Sequence, residues 1–161
     1  MEIRRATSED TGEIRAVAAS SWRTDYPNIL NREAIEEGVE EWYNSEQIAS
    51  ELAEDDAILL VAEIDDKVVG FTHAVRRQRT GFILRVYVNP DYRKQGIGTE
   101  LFASARDALL TRGVDDIRAM VLAGNEPGNV FYKTVGFEKV DEEETVIGGE
   151  TYTENVYVRT K

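Results

Sequence analysis

Cysteine is missing from all 161 residues. That excludes disulfides, thiolate metal sites and a cysteine nucleophile. Histidine occurs once, at His73 on a stretch reading as a central strand, where a lone histidine is more often packed or exposed than catalytic. No apolar run approaches the roughly 20 residues of a membrane span, and the start Met1-Glu2-Ile3-Arg4-Arg5-Ala6 lacks the apolar core of a signal peptide. A soluble, cytoplasmic chain with no membrane partner is expected. Repeats, low-complexity tracts and linkers are also absent, so one domain over 1–161 is the economical division, large enough to bury a core unaided.

Positive charge is scarce. Nineteen basic residues face 31 acids for a net charge of −12, so a nucleic-acid backbone would be repelled and no nucleic-acid partner is expected. Only five of the nineteen are lysine. Such an acidic, lysine-poor surface suits concentrated salt, where screening removes self-repulsion, and a halophilic source is the matching expectation. The exception is residues 74–99, with six basic groups (Arg76, Arg77, Arg79, Arg85, Arg93, Lys94) against one acid, Asp91.

That basic segment contains the most informative stretch. Phe82 to Val88 is rich in branched and aromatic residues and reads as a strand. Pro90 has no N–H for a ladder and biases Asn89 away from helix, so the strand stops there. From Gly98 to Arg112 the apolar Leu101, Phe102, Ala105, Ala108 and Leu109 recur at helical spacing, and Gly113 supplies the stop. Between strand and helix lies Arg93-Lys94-Gln95-Gly96-Ile97-Gly98-Thr99. Unpaired N–H groups at a helix start, with glycines that permit close approach, suit a bound phosphate; a plain tight turn would use the glycines equally well. The Walker pattern is absent, since Gly98 is followed by Thr99-Glu100, and the dinucleotide fingerprint lacks its third glycine, where Leu101 stands.

Arg/Gln-x-x-Gly-x-Gly/Ala after a Val-x-Val-x-Pro strand does fit, with Arg93, Gly96 and Gly98 in the fixed places. A second motif, Asn-x-x-Gly/Ala-x-x-Phe-Tyr-x-x-x-Gly-Phe, fits at Asn125, Gly128, Phe131, Tyr132, Gly136 and Phe137. Together they resemble the GNAT superfamily of N-acetyltransferases, over essentially the whole chain. The resemblance implies an α/β (α+β) fold with a central mixed, mostly antiparallel sheet of six to seven strands. Helices cover both faces, and the sheet is splayed between the fourth and fifth strands. It implies acetyl-CoA as co-substrate, with no metal. Arg93, Lys94, Gln95, Gly96, Ile97, Gly98 and Thr99 would hold the pyrophosphate, and Val86, Tyr87 and Val88 the pantetheine arm. Asn125 would bond that arm, or else serve as a helix cap. Tyr132 would be the acid for the leaving thiolate, or else an aromatic packing residue. The Val88 N–H would meet the oxyanion. Trp22, Asp25 and Tyr26 fall in the segment that lies over the acceptor site, where acids would suit a cationic amine.

By the same resemblance, the expected reaction moves an acetyl group directly to a primary amine of a small molecule or a peptide. The rival is a catalytically silent CoA-binding regulatory module. Dimers are frequent in such folds, so a homodimer is an expected form. No general base is legible, because the two strands that supply a glutamate in some members carry Arg85 and Met120 here.

The remaining chain reads as a strand over 1–6, a helix from Thr7-Ser8-Glu9-Asp10 to about Trp22, and a helical region from about Arg32 to Leu52 with interruptions at Gly38 or Asn44-Ser45. A hairpin joins 57–64 to 68–75. A strand follows over 116–122, then a short helix to Lys133. A last hairpin pairs 137–146 with 151–159, its alternation imperfect.

Overall fold

Ile58, Leu60 and Ala62 face one way along the second strand and Leu59 and Val61 the other, and each set is buried. That alternation requires cover on both faces. A computed structural model describes residues 1–160 and shows what supplies it. Among the described residues seven strands form one sheet in the order β1-β2-β3-β4-β5-β7-β6. They are β1 (Glu2–Arg5), β2 (Ala57–Ile64), β3 (Lys67–Arg77), β4 (Thr80–Val88), β5 (Asp116–Leu122), β6 (Glu138–Ile147) and β7 (Glu150–Thr160). All neighbours pair antiparallel except β4 and β5, which are parallel.

α1 (Thr11–Asp25), α2 (Arg32–Tyr43) and α3 (Ser45–Ala53) cover one face, packing Trp22, Ile35, Tyr43 and Ile48 onto Leu59, Val61 and Phe71. α4 (Ile97–Thr111) and α5 (Glu126–Thr134) cover the other, where Leu101, Phe102 and Leu109 meet Val69, Ile83 and Ile117. Fully burying each such side chain contributes about 1.5–3 kcal/mol.

The expected interruption in the second helical region falls at Asn44, which ends α2 and caps α3 by accepting the Gln47 N–H at 2.8 Å. Gly38 does not break α2. A Cβ there would overlap the Trp22 ring, so the glycine lets α2 press onto α1. At the first helix start the device is the Asp10 carboxylate, which accepts the Thr7 N–H at 2.7 Å and two bonds from Arg4. Arg4 holds that carboxyl below the usual carboxylate range. The uneven alternation of the last hairpin comes from a register shift in β6 between Lys139 and Asp141. β6 is an edge strand whose exposed acids Asp141 to Glu144 discourage further pairing. No helix among the described residues is long and apolar enough to cross a membrane.

The feature that positions the site is the short parallel pairing. It joins Thr80–Ile83 to Asp116–Ala119 and stops. Beyond it Leu84–Val88 and Met120–Leu122 separate, leaving the sheet split along half its depth.

Candidate active site

The split opens a cleft of about 1170 Å³, room for a long thioester arm and an acceptor together. Its walls are the free edges of β4 and β5, the start of α4, and α5. On the face covered by α1 to α3 it continues between Trp22, Trp42, Tyr43 and the hairpin of β6 and β7.

At the mouth lies the loop between β4 and α4. Gly96, the residue before α4, has φ +81°, and Lys94 has φ 64°. This left-handed backbone suits glycine at 96 and turns the loop N–H groups outward. Among the described residues, no hydrogen bond from the N–H groups of residues 93 to 99 to protein is found. A Cβ on Gly96 would meet nothing within 4 Å. Orphan donors around open space at the positive end of a fifteen-residue helix form an anion cradle.

The free edge of β4 is a second donor. Asn89 N–H donates to Val69 O at 2.7 Å, and Val88 sits opposite Gly70. Antiparallel alternation therefore turns the N–H and C=O of Val88 and Val86 away from β3 and into the gap. The Val88 carbonyl receives Ser21 Oγ and Arg93 Nε, each at 3.4 Å.

Of the sequence-predicted residues, all but Gln95 line this cleft. Arg93 does so with its guanidinium committed, donating to both Asp25 carboxylate oxygens at 2.6 and 2.8 Å. Arg76 and Arg79 pair with Asp56 and Asp115 at the far end of the β3–β4 hairpin, and Arg85 pairs with Glu51. Most of the basic excess of 74–99 thus does not gather at the loop, whose positive character comes from its backbone N–H groups and from Lys94. Trp22 and Tyr26 are buried, and Trp22 Nε1 donates to the Tyr87 hydroxyl at 2.9 Å.

Asn125 caps α5, its side-chain oxygen accepting the Gly128 N–H at 3.2 Å. Tyr132 is held by the rings of Phe131, Phe137 and Tyr157 at 5.1, 5.2 and 6.1 Å. Its hydroxyl has no partner among the described residues. Burial, then the nearby Tyr87, push the phenol above its ordinary pKa, so it holds its proton at working pH. Packing residue and proton donor are compatible roles here.

Several residues that brace or line the cleft were not picked out from the sequence. Asn129 donates to the carbonyls of Leu122 and Asn125 at 3.0 and 2.7 Å and accepts from Asn155 Nδ2 and the Tyr157 hydroxyl at 2.9 and 2.5 Å. It pins the end of β5 and the start of α5, hence the Tyr132 wall, onto β7. Glu41, Gln47, Leu84, Thr145 and Glu154 line the cleft itself.

His73 lies outside the cleft, buried beneath α3. Arg85 Nη1 donates to its Nδ1 at 2.7 Å, so the ring proton sits on Nε2. Burial lowers its pKa to about 4, Glu51 opposing and Arg85 adding to the effect. The unfolded chain binds this proton below about pH 6.5 and the folded chain only below about 4, so stability falls as pH drops through that window. The loss amounts to about 3 kcal/mol at its end. Denaturant titrations between pH 7 and 4 should show it, and His73→Gln should flatten it; an unchanged slope in that variant would refute the assignment.

A mixed sheet split between its parallel strands, with a helix start at the mouth of the split, defines an acyltransferase scaffold. The chain belongs to the acetyltransferase (GNAT) family, whose model matches residues 15–137, and it is an acyltransferase. It is 30% identical over 145 residues to the spermidine N(1)-acetyltransferase of Thermoplasma acidophilum, covering 88% of this chain and 90% of that protein. The crystal structure of a PaiA N-acetyltransferase from Thermoplasma acidophilum in complex with coenzyme A is similar at TM-score 0.87 and 27% identity. The match covers 99% of this chain and 98% of that one. A shorter match, 30% over 74 residues, is to the thialysine N-epsilon-acetyltransferase of Bos taurus, 46% of this chain and 44% of that protein.

Proposed function

We propose that this protein transfers the acetyl group of acetyl-CoA directly to a primary amine of a small cationic molecule, with polyamine-like diamines as the acceptor class. The observation that carries the reading is the run of orphan N–H groups at residues 93 to 99, set at the mouth of a gap edged by Val86 and Val88. The loop amides would take the diphosphate, and the free edge of β4 the amides of the pantetheine arm. The Val88 N–H would face the thioester oxygen as a fixed donor, and the Tyr132 hydroxyl would protonate the leaving sulfur.

The acceptor class is supported by what surrounds the other end of the cleft. Trp22, Tyr26, Trp42 and Tyr43 present aromatic rings, and Glu41 and Glu154 present carboxylates, a combination that favours ammonium groups. The Thermoplasma relative is named for spermidine, which agrees. An acyl-transfer screen with acetyl-CoA against polyamines, amino acids, aminoglycosides and short peptides tests the reading. Thiol release is expected with the polyamines. Binding of acetyl-CoA with no release for any amine would leave a silent CoA-binding module instead.

A further inference from the structure

Four carboxylates line the cleft: Asp25, Glu41, Glu126 and Glu154. Asp25 is tied to Arg93. Glu41 and Glu126 are exposed. Glu154 alone among them is partly buried and has neither a hydrogen bond nor an ion pair among the described residues. It stands on β7 opposite Leu122, the last residue of β5, so both side chains share a face of the sheet. Leu122 packs with the core under α1 to α3, whereas Tyr132 belongs to the core on the other face. A carboxylate on the acceptor side and a phenol on the opposite side thus flank the gap in which the thioester would lie.

We infer that Glu154 is the general base of the acetyl transfer, accepting the proton of the acceptor ammonium; this rests on the function proposed above. Glu154 takes one N–H proton, and the freed lone pair forms the C–N bond to the thioester carbonyl carbon. The C–S electron pair leaves with sulfur, which takes the Tyr132 proton. A second amine proton restores the Tyr132 hydroxyl, and Glu154 releases its own to solvent, so the transfer yields amide, thiol and one proton. Burial raises the Glu154 carboxyl above the usual carboxylate range, and Glu143, facing it from β6, adds to this. β5 presents apolar Leu122 beside it, and α2 contributes Glu41 to the same cleft. A carboxylate so raised is a better-matched base near neutral pH than an exposed one.

The test is the pH dependence of kcat/KM with a polyamine acceptor for wild type, E154Q, E154D and E143Q, alongside the thermal shift with coenzyme A. E154Q should lose roughly 10²- to 10³-fold in kcat/KM at neutral pH, with the deficit shrinking as pH approaches the amine's own pKa. Its coenzyme A shift should match wild type, and E154D should recover part of the rate. E143Q, altered on the exposed edge strand, should keep the plateau rate and move the acid limb to lower pH. An active wild type matched by E154Q in rate and profile overturns the assignment of Glu154 alone. A wild type inert toward every amine overturns the acetyltransferase reading and this inference with it.

Discussion

Gly98→Val is expected to abolish the rise in melting temperature that acetyl-CoA should give the wild-type protein, while leaving the unliganded protein as stable as before. A Cβ at this position would touch Phe131 Cε1 at 3.4 Å and Val88 Cγ2 at 3.7 Å, ordinary contacts that need no movement. The further methyls of valine then project into the cleft that Gly98 lines, where the diphosphate would approach the first turn of α4. Valine is a better helix former than glycine, so the fold itself should not suffer. Gly96 is the poorer probe, because at φ +81° any side chain adds about 1–2 kcal/mol of strain and confuses folding with binding. At a hundredfold excess over Kd the wild-type protein should gain about 2.7 kcal/mol, roughly 5–10 °C for a chain of this size. Differential scanning fluorimetry reads both quantities. A valine variant that shifts as wild type does would place the diphosphate elsewhere.

Tyr132→Phe is expected to lower kcat by about 10²- to 10⁴-fold with the acetyl-CoA thermal shift retained. The ring is fixed by its aromatic neighbours rather than by its hydroxyl, which bonds to nothing among the described residues. Removing that hydroxyl strands no partner, so structure and binding should persist while the proton donor is lost. Stopped-flow thiol detection under saturating acetyl-CoA and polyamine gives the comparison. Wild-type turnover in the phenylalanine variant would mean that the thiolate takes its proton from water or another group.

How much of this could be read from the chain alone depended on whether the signal was local. The run from Val86 to Leu101 carries strand, proline stop, glycine turn and helix in consecutive residues, and the structure follows it nearly residue for residue. Tyr132 came from the resemblance carried by the motif Asn125 to Phe137, again a run of near neighbours in sequence, and the structure places it on the cleft wall. The acceptor end is different. Trp42, Leu84, Thr145 and Glu154 come from four separate elements, and no spacing rule joins them. A faint signal for Glu154 did exist: in β7, Tyr152, Glu154, Val156 and Val158 share one face, and the acid interrupts an otherwise apolar set. Arg93 shows the opposite limit. Its basic charge suggests a phosphate ligand, and only the folded chain shows that its guanidinium also donates to both Asp25 carboxylate oxygens.

The most direct measurement is calorimetric titration of the wild-type protein with coenzyme A and, separately, with pantetheine, which lacks the diphosphate and nucleotide. If the loop amides grip the diphosphate, pantetheine should bind at least about 100-fold more weakly, the loss of one or two charge-assisted hydrogen bonds. Equal affinity for both, or no affinity for coenzyme A, would contradict the site described at Arg93 to Thr99.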